Sequence, residues 1–282
     1  MAHVIRKIRR ALFDVDPSFC DMYEDAGARA AGEEYLRYIR RHIHERFGDR
    51  RVSILDAGCQ AGRLLIPLAE EGHRMIGLDA SAFSLRRARR HVKARQLSIP
   101  LHKGGLINLR RWIPPSSMDV VICTEVLYLC RNYRQLLQLF ADSVKPEGLL
   151  FVSHRPTLYY VACALQHGQL DQVDFLLTRT EGCDPDGAYH NWQTQEQLIE
   201  LYRSLNLTCA GCYPIGDQII QPDLSVMSPE ASRLLASVRS TDSTFSIPTY
   251  VLVAAQKAEC ATPADSSPTD THPATKFWLD KP

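Results

Sequence analysis

A glycine-bearing turn near residue 60 has residue types that suit a ligand with an amino-acid end. The turn reads LDAGCQAG, so that Asp56 stands two residues before Gly58, and Gly62 follows four residues later. Glycine lets the backbone approach a ligand closely, and the amides at the start of a helix can hold a polar or anionic group. The pattern D-x-G-x-x-x-G favours a ligand whose amino-acid end carries positive charge.

The same turn lacks the two common phosphate-binding patterns. A dinucleotide fingerprint starting at Gly58 would need two glycines where Gln60 and Arg63 stand, and no Walker A lysine follows. Asp79 lies at the carboxyl end of the next apolar run, where its carboxylate can accept hydrogen bonds from both hydroxyls of a ribose. The two acids together predict a site for a nucleoside joined to an amino acid, without phosphates.

Candidates for acid–base chemistry lie further along the chain. His154 follows the fifth predicted strand, is expected to face the crevice, and is the best base candidate because imidazole titrates near neutral pH. His190 and Tyr189 could reach the same place from an insert, and Tyr128 is a further candidate after the fourth strand. The alternatives stay open: a histidine that caps a strand end, a solvated loop, and a core or helix-start position for Tyr128.

The elements that must position these residues alternate between strands and helices. Short apolar runs predict seven strands, at 52–57, 74–79, 99–102, 118–123, 149–153, 207–213 and 249–255, with amphipathic helices between most of them. Such alternation with short turns predicts an α/β, Rossmann-like fold: a seven-stranded, mostly parallel sheet with helices on both faces. Ligands of these sheets bind beyond the carboxyl ends of the strands, where strand order reverses.

Three regions are expected along the chain. Residues 1–50 are an N-terminal helical segment that starts near Asp16 and Pro17 and breaks near Gly27 and Gly32. Residues 51–257 are the main domain, whose insert, 157–193, begins with a helix at 157–168, continues irregularly and caps the acceptor pocket. A capping box at Thr194 starts the next helix, and another is expected at 228–240. Residues 258–282 are predicted to be a disordered tail.

Composition excludes several classes of function. The net charge of +1 gives no overall electrostatic reason to bind nucleic acid. A basic run at 86–95 could bind RNA, but a solvated helix face is the favoured interpretation. Neither a transmembrane run of about 18 apolar residues nor a signal peptide is found. Cys209 and Cys212 form a lone C-x-x-C pair without further ligands, so no metal site is predicted. We expect a soluble, cytoplasmic protein with reduced thiols and leave its oligomeric state open.

Four segments together resemble the class I S-adenosylmethionine-dependent methyltransferases. They are ILDAGCQAG at 54–62, IGLDAS at 76–81, MDVVICTEVLYL at 118–129 and VKPEGLLFVSH at 144–154. The resemblance covers roughly residues 30–257, and the order and spacing of the segments make it specific. The branch that acts on small molecules is most similar, particularly quinone-biosynthesis O-methyltransferases, in which a segment like HNWQTQEQL also leads from an insert into the sixth strand.

The resemblance implies S-adenosylmethionine as the cofactor and a role for each matching residue. The methionine end would lie against Asp56, Gly58, Cys59, Gln60 and Gly62; the ribose against Asp79; the adenine against Ala80, Ser81 and Leu106; and the floor would be Cys123 and Thr124. Two positions depart from the pattern. Gln60 stands where a small residue is usual, and Gly105 stands where many relatives carry an acid for the adenine amino group.

Three functions are consistent with this pattern. The first is methyl transfer to a small organic acceptor, because the N-terminal helices and the insert are placed like a lid. The others are methylation of RNA or protein, and a cofactor-binding module without catalysis, which the departures at Gln60 and Gly105 suggest. The segment CTEVLY after the fourth strand lacks the Asn/Asp-Pro-Pro-aromatic signature of many enzymes that methylate base amines or glutamine, which disfavours those acceptors.

Overall fold

A computed structural model of the chain describes residues 21–166, 169, 171–184, 187–220 and 245–259. The sequence-predicted helix start at Asp16, the helix at 228–240 and the tail from residue 260 lie outside these ranges. The main sheet contains β1 (Ser53–Ala57), β2 (Arg74–Asp79), β3 (Leu101–Lys103), β4 (Met118–Cys123), β5 (Val144–His154), β8 (Leu207–Ile220) and β9 (Phe245–Lys257). A separate hairpin is formed by β6 (Glu181–Cys183) and β7 (Tyr189–Asn191).

Seven α-helices lie in the described ranges: α1 (Ala26–Phe47), α2 (Leu65–Glu70), α3 (Ala82–Ala94), α4 (Tyr133–Ser143), α5 (Thr157–Gln166), α6 (Asp171–Thr178) and α7 (Gln195–Arg203). The predicted capping box of α7 is confirmed: Gln197 N–H donates to Thr194 Oγ1 at 3.3 Å, and Thr194 N–H donates to Gln197 Oε1 at 2.9 Å. None of these helices combines the length and apolar character needed to cross a membrane.

The order of the main sheet is β3-β2-β1-β4-β5-β9-β8. Strands β1 to β5 are mutually parallel, and β9 runs antiparallel between β5 and β8. The predicted α/β fold with a seven-stranded, mostly parallel sheet is therefore confirmed. The chain moves outward from β1 to β3 and then returns to β4 on the other side of β1. Strand order thus reverses between β1 and β4, which places the expected ligand crevice at their carboxyl ends.

Alternating side chains of the sheet enter two separate cores. On one face, Leu55, Val121 and Val152 pack with residues of α4 and α7. On the other, Ile54 and Phe151 pack with residues of α1, α2 and α3. Because strands buried on both faces have no solvent side, their sequences are continuous apolar runs, and this is why they could be recognised in the sequence.

Helix α1 is continuous through both of its glycines, contrary to the expected break. Asp25 caps its start by accepting a hydrogen bond from Ala28 N–H at 2.7 Å. Gly32 serves close packing instead of a bend, because a Cβ atom at this position would lie 2.7 Å from Cγ of Arg63. The absent side chain at Gly32 lets the guanidinium of Arg63 pass beneath the helix and reach the end of the sheet.

The insert is more regular than the sequence predicted. Residues 169–193, expected to be irregular, contain α6 and the β6–β7 hairpin. Trp192 packs with Leu176 and Ala164 in a small core of its own. The indole Nε1–H donates to the carbonyls of Leu176 and Arg179, at 2.9 and 2.7 Å. These contacts join residues distant in sequence, so local periodicity did not reveal them.

The two glycines of α1 provide a matched test of this packing. Gly27→Ala should be neutral or stabilise the protein by up to about 1 kcal/mol, because alanine favours helix and its Cβ would meet only Asp25 Oδ1, at 3.4 Å. Gly32→Ala should instead destabilise, because its Cβ displaces Arg63. Urea unfolding of both variants measures the difference; equal stabilisation by both would contradict a packing role for Gly32.

Candidate cofactor and acceptor site at the carboxyl ends of the strands

The turn after β1 is held in an unusual backbone conformation. Gly58 and Gly62 have φ angles of +93° and +100°, and Gln60, which is not glycine, has a φ of +46°. The N–H groups of Gly58 and Cys59 both donate to the carbonyl of Leu78, at 2.7 and 3.2 Å. The glycines are therefore required by the conformation, and the cost of placing Gln60 in the left-handed region must be met by other contacts.

Gln60 supplies some of those contacts itself. Its side-chain Oε1 accepts hydrogen bonds from Ala61 N–H at 2.9 Å and from Met22 N–H at 3.3 Å. The side chain thus joins the turn, through these two hydrogen bonds, to the segment before α1. The larger residue at this position, noted as a departure in the sequence, has a structural use that a glycine could not fulfil.

The carboxylate of Asp79 bridges two neighbouring turns. Its Oδ2 accepts from Gln60 N–H at 2.9 Å, and its Oδ1 accepts from Ser81 N–H at 2.8 Å. The residue is partly exposed, at the carboxyl end of β2. The group predicted to bind a ribose therefore lies at the crevice in a fixed orientation.

Asp56 lies beneath the same turn and is buried, with 3% of its surface exposed. Burial raises the pKa of its carboxyl to about 7; the charge of Arg63 opposes this, that of Asp79 adds to it, and a hydrogen bond from the backbone of Leu65 opposes it. Near neutral pH this carboxyl is therefore close to its own pKa. A positively charged ligand nearby would favour its ionised form.

Arg63 and Glu125 form an ion pair that the sequence analysis did not assign to the site. Arg63 Nη2 lies 2.7 Å from Glu125 Oε1, and both side chains are mostly buried, with 7% and 15% exposed. Glu125 follows β4 with a φ of +61°, and its N–H donates to Ser153 Oγ at 2.6 Å. The available signal was positional: Glu125 is the second residue after β4, and Arg63 follows the glycine turn after the adjacent strand β1.

The other predicted cofactor residues divide into surface and buried groups. Ala80 is exposed, and Ser81 caps α3 by accepting from Ser84 N–H at 3.2 Å. Leu106 is partly buried in a 3-10 helix, Leu106–Arg111. A Cβ atom at Gly105 would meet nothing within 4 Å, so this second departure from the pattern leaves open space beside the mouth of the crevice.

Two cysteines and a threonine complete the predicted set. Cys59 and Cys123 are buried, with 3% and 0% exposed, and burial raises the pKa of both thiols well above their usual range. Cys123 packs in the apolar core with α4 and α7, and Thr124 is buried directly after it. These side chains support the crevice from below, and the thiols stay protonated at neutral pH.

His154 does not face the crevice as the sequence analysis expected. Its side chain is fully buried, and Nε2 lies 2.9 Å from the hydroxyl of Tyr202 on α7. Burial lowers the pKa of His154 to about 3, so the ring is neutral at physiological pH and attracts a proton only weakly. Both the position and the basicity argue for a structural histidine at the strand end, which was the alternative interpretation.

His190 and Tyr128 are brought together by the insert. The two rings stack with centroids 6.3 Å apart. His190 Nδ1 lies 3.1 Å from the hydroxyl of Tyr160 on α5, and its Nε2 lies 3.3 Å from Asp184 Oδ2. Tyr189 is directed elsewhere, since its hydroxyl donates to the carboxylate of Glu181. The structure thus separates His190 from its neighbour in the sequence.

A cavity of about 390 Å³ lies within the insert beside this histidine. Its wall includes Tyr160, Cys163, Phe175, Leu176, His190 and Trp192. Most of the wall is apolar, and its polar groups are the Tyr160 hydroxyl, the His190 imidazole, the Asp184 carboxylate and the amides of Gln169 and Gln172. Such a combination of apolar surface and a few convergent polar groups is typical of small-molecule pockets.

The basic run of α3 is partly neutralised within the chain. Arg87 and His91 face Asp21, at 3.6 and 3.2 Å. Asp21, Glu24 and His91 have ligand-type atoms within 4.8 Å of one another, but they already form this ion-pair group. The thiols of Cys209 and Cys212 hydrogen-bond to each other. Neither group provides an independent reason to expect a metal.

Comparison with known proteins finds methyltransferases that are similar to parts of this chain. Residues 54–148 match the family model described as "Methyltransferase domain". The ubiquinone biosynthesis O-methyltransferase of Rickettsia canadensis is 29% identical over 119 residues, 42% of this chain and 49% of that protein. The enzyme of that name from Idiomarina loihiensis is 31% identical over 118 residues, 42% of this chain and 47% of that protein. The chain thus spans about half the length of the curated relatives it matches.

Solved structures share the fold over more of the chain. Magnesium protoporphyrin IX methyltransferase from Synechocystis, with bound S-adenosylhomocysteine, gives a TM-score of 0.56 at 14% identity and covers 92% of this chain and 100% of its own. An S-adenosylmethionine-dependent methyltransferase from Mesorhizobium loti gives 0.55 at 18% identity and covers 80% of this chain and 98% of its own. At these identities the likeness establishes the fold alone.

Asp56 should make stability depend on pH in a defined direction. The pKa of Asp56 in the folded protein, about 7, exceeds its ordinary value of 3.8. The contribution of Asp56 to the free energy of unfolding is therefore full below about pH 4 and is lost as pH rises through 7. Asp56→Asn should remove this loss, which is on the order of 4 kcal/mol at most, from the free energy of unfolding. Urea unfolding at about pH 5 and about pH 8 measures it.

Asp119→Asn is the control of opposite sign. Burial opposes ionisation of Asp119, but hydrogen bonds from Ser53 and Lys145 outweigh it and lower the pKa. Its ionised form therefore stabilises the protein above its ordinary pKa, and the substitution should destabilise equally at both pH values. If the pH dependence of Asp56→Asn matched that of the wild type, Asp56 would not titrate in this range.

Proposed function

We propose that this chain, which carries a methyltransferase domain over residues 54–148, transfers a methyl group from S-adenosylmethionine to a small organic acceptor. The observation that carries the proposal is the fixed Asp79 carboxylate at the point where strand order reverses, beside a glycine turn without a phosphate pattern. The named relatives are O-methyltransferases, which supports an oxygen atom as the acceptor.

The charges of the crevice fit the cofactor. Asp56, Asp79 and Glu125 are carboxyl groups at or just beyond the ends of three adjacent strands, β1, β2 and β4. S-adenosylmethionine supplies an activated methyl group on a positive sulfonium. Asp79 would accept hydrogen bonds from the ribose hydroxyls, and the turn from Gly58 to Gly62 would hold the methionine end near Asp56 and Glu125. The adenine would lie by Ala80, Ser81 and Leu106, in the space beside Gly105.

The acceptor would bind between the strand ends and the insert, which acts as its cap. Alignment of the reacting atoms and exclusion of water are the main contributions a protein can make to such a transfer. His190 is the residue placed to take a proton: a proton leaving an acceptor hydroxyl would pass through the Tyr160 hydroxyl to Nδ1 of His190. Asp184 would stabilise the imidazolium at Nε2. His154 has no part in this path.

The same site also bears on the bounds of the domain, the compartment of the protein and the class of acceptor. The domain would extend over 51–257, with 157–193 as the cap. The seven cysteines within the described residues are free thiols, which supports a reducing compartment such as the cytoplasm. The partial neutralisation of the α3 basic run by Asp21 favours a small acceptor over RNA.

Loss of the Asp79 charge should weaken cofactor binding. Titration calorimetry with S-adenosylhomocysteine should show binding that Asp79→Asn weakens by at least about 10-fold, because charged hydrogen bonds to the ribose are lost. Asp119→Asn is the matched control, since this carboxylate lies near the amino end of β4, at the opposite end of the strands. No binding by the wild type, or equal binding by Asp79→Asn, would refute the proposal.

His190 should affect transfer without affecting the cofactor. Metabolite extracts incubated with S-adenosylmethionine carrying a deuterated methyl group should yield a labelled product, detected by mass spectrometry. His190→Gln should slow its formation by about 100-fold or more while leaving S-adenosylhomocysteine affinity unchanged, because a general base contributes on that order. Tyr189→Phe, the neighbour that faces Glu181, should retain the wild-type rate. An unaltered rate in His190→Gln would exclude this proton path.

A further inference from the structure

Arg155 directly follows β5 and lies among four tyrosines, which we call the tyrosine cage: Tyr128, Tyr159, Tyr160 and Tyr250. Its guanidinium carbon is 4.2 Å from the ring centre of Tyr159, 4.6 Å from Tyr128, 4.8 Å from Tyr250 and 6.0 Å from Tyr160. The tyrosines come from the segment after β4, from α5 and from β9. Distant parts of the chain therefore converge on one cation.

This cation has no carboxylate partner. Among the described residues, none of the acidic side chains comes within 4.0 Å of the Arg155 guanidinium. Its Nη2 donates to the hydroxyl of Tyr250 at 2.8 Å, whereas its Nε is buried and has no hydrogen-bond partner in the same part of the chain. Arg63, the mostly buried arginine at the cofactor end, is by contrast paired with Glu125. Buried cations are usually paired, so the cage is short of one negative charge.

The guanidinium nevertheless stays charged and reachable. Burial opposes the charge, but the surrounding tyrosine hydroxyls outweigh this and raise the pKa of Arg155 above its already high value. The residue is partly exposed, so an incoming group can meet it. Aromatic faces attract a cation without consuming its N–H donors, and a planar guanidinium presents those donors in a fork that matches a carboxylate.

The cage also adjoins the proposed proton path. Tyr160 belongs to both, since its hydroxyl lies 3.1 Å from His190 Nδ1. Tyr128, on the other side, stacks on the ring of His190. A group held by Arg155 would therefore place the rest of its molecule next to His190, which also lines the cavity of about 390 Å³ within the insert.

We propose that Arg155 binds a carboxylate of the methyl acceptor, and that the acceptor is an aromatic carboxylic acid bearing a hydroxyl group. The inference rests on the proposed function and names its substrate class. The tyrosine rings around Arg155 favour a flat aromatic body. A single guanidinium balances one negative charge, and Arg155 is the only cation over these four rings in the described chain, which favours a carboxylate over a phosphate.

Paired acids and amides test this without knowledge of the natural acceptor. The probes are benzoate, 4-hydroxybenzoate and 3,4-dihydroxybenzoate with their three amides, titrated into the full chain saturated with S-adenosylhomocysteine. The wild type should bind at least one acid about 10-fold or more tightly than its amide, because only the acid pairs with Arg155. Arg155→Met should remove the preference, and Arg155→Lys should retain part of it.

Arg131→Met is the matched control, because Arg131 lies 4.8 Å from the ring of Tyr189, away from the cage. It should keep both the acid preference and the affinity for S-adenosylhomocysteine. The proposal is overturned if none of the acids binds, if acids and amides bind alike, or if Arg155→Met keeps the preference for acids. The last outcome would mean that Arg155 only holds the four tyrosines in place. The comparison of acids with amides in the wild type tests the proposal even if Arg155→Met does not fold. If the wild type does not bind S-adenosylhomocysteine, the proposed function itself is refuted.

Discussion

The hydrogen bonds that Asp79 accepts from Gln60 and Ser81 hold the crevice in shape. They join the turn after β1 to the turn after β2, so that two neighbouring strand ends share one carboxylate. The turn after β1 includes a non-glycine residue in the left-handed region, a conformation that persists only when surrounding contacts enforce it. The shape of the crevice and the proposed recognition of the ribose therefore depend on the same charged group.

Charge is distributed unevenly along the strand ends. Asp56 and Glu125 face Arg63 at the end proposed for the cofactor, and Asp79 lies at the end of the neighbouring strand β2. Among the described residues, Arg155 has no carboxylate partner at the end proposed for the acceptor. A positively charged methyl donor and a negatively charged acceptor would thus each meet opposite charge, in adjacent places. This arrangement would orient the two reactants relative to each other before any bond changes.

The insert contributes the histidine proposed for proton transfer. Its small core around Trp192 fixes the β6–β7 hairpin, and the hairpin carries His190 to Tyr160 and Tyr128. A Rossmann-like sheet provides a cofactor position that many enzymes share, whereas the added segment determines which acceptor fits and how it loses a proton. The proposed specificity of this protein therefore lies in residues 157–193 and in the strand ends they cover.

The sequence by itself determined the strand pattern and the cofactor turn. The predicted strands 74–79 and 118–123 match β2 and β4, because buried apolar runs and turn residues are local properties. The contacts of Arg63 with Glu125 and of Arg155 with its tyrosines were decided only by the tertiary structure, since they join residues far apart in the chain. His154 shows the reason most clearly. Strand β5 continues through His154, and strand side chains alternate, so His154 shares the face of Val152 and meets Tyr202 in the core.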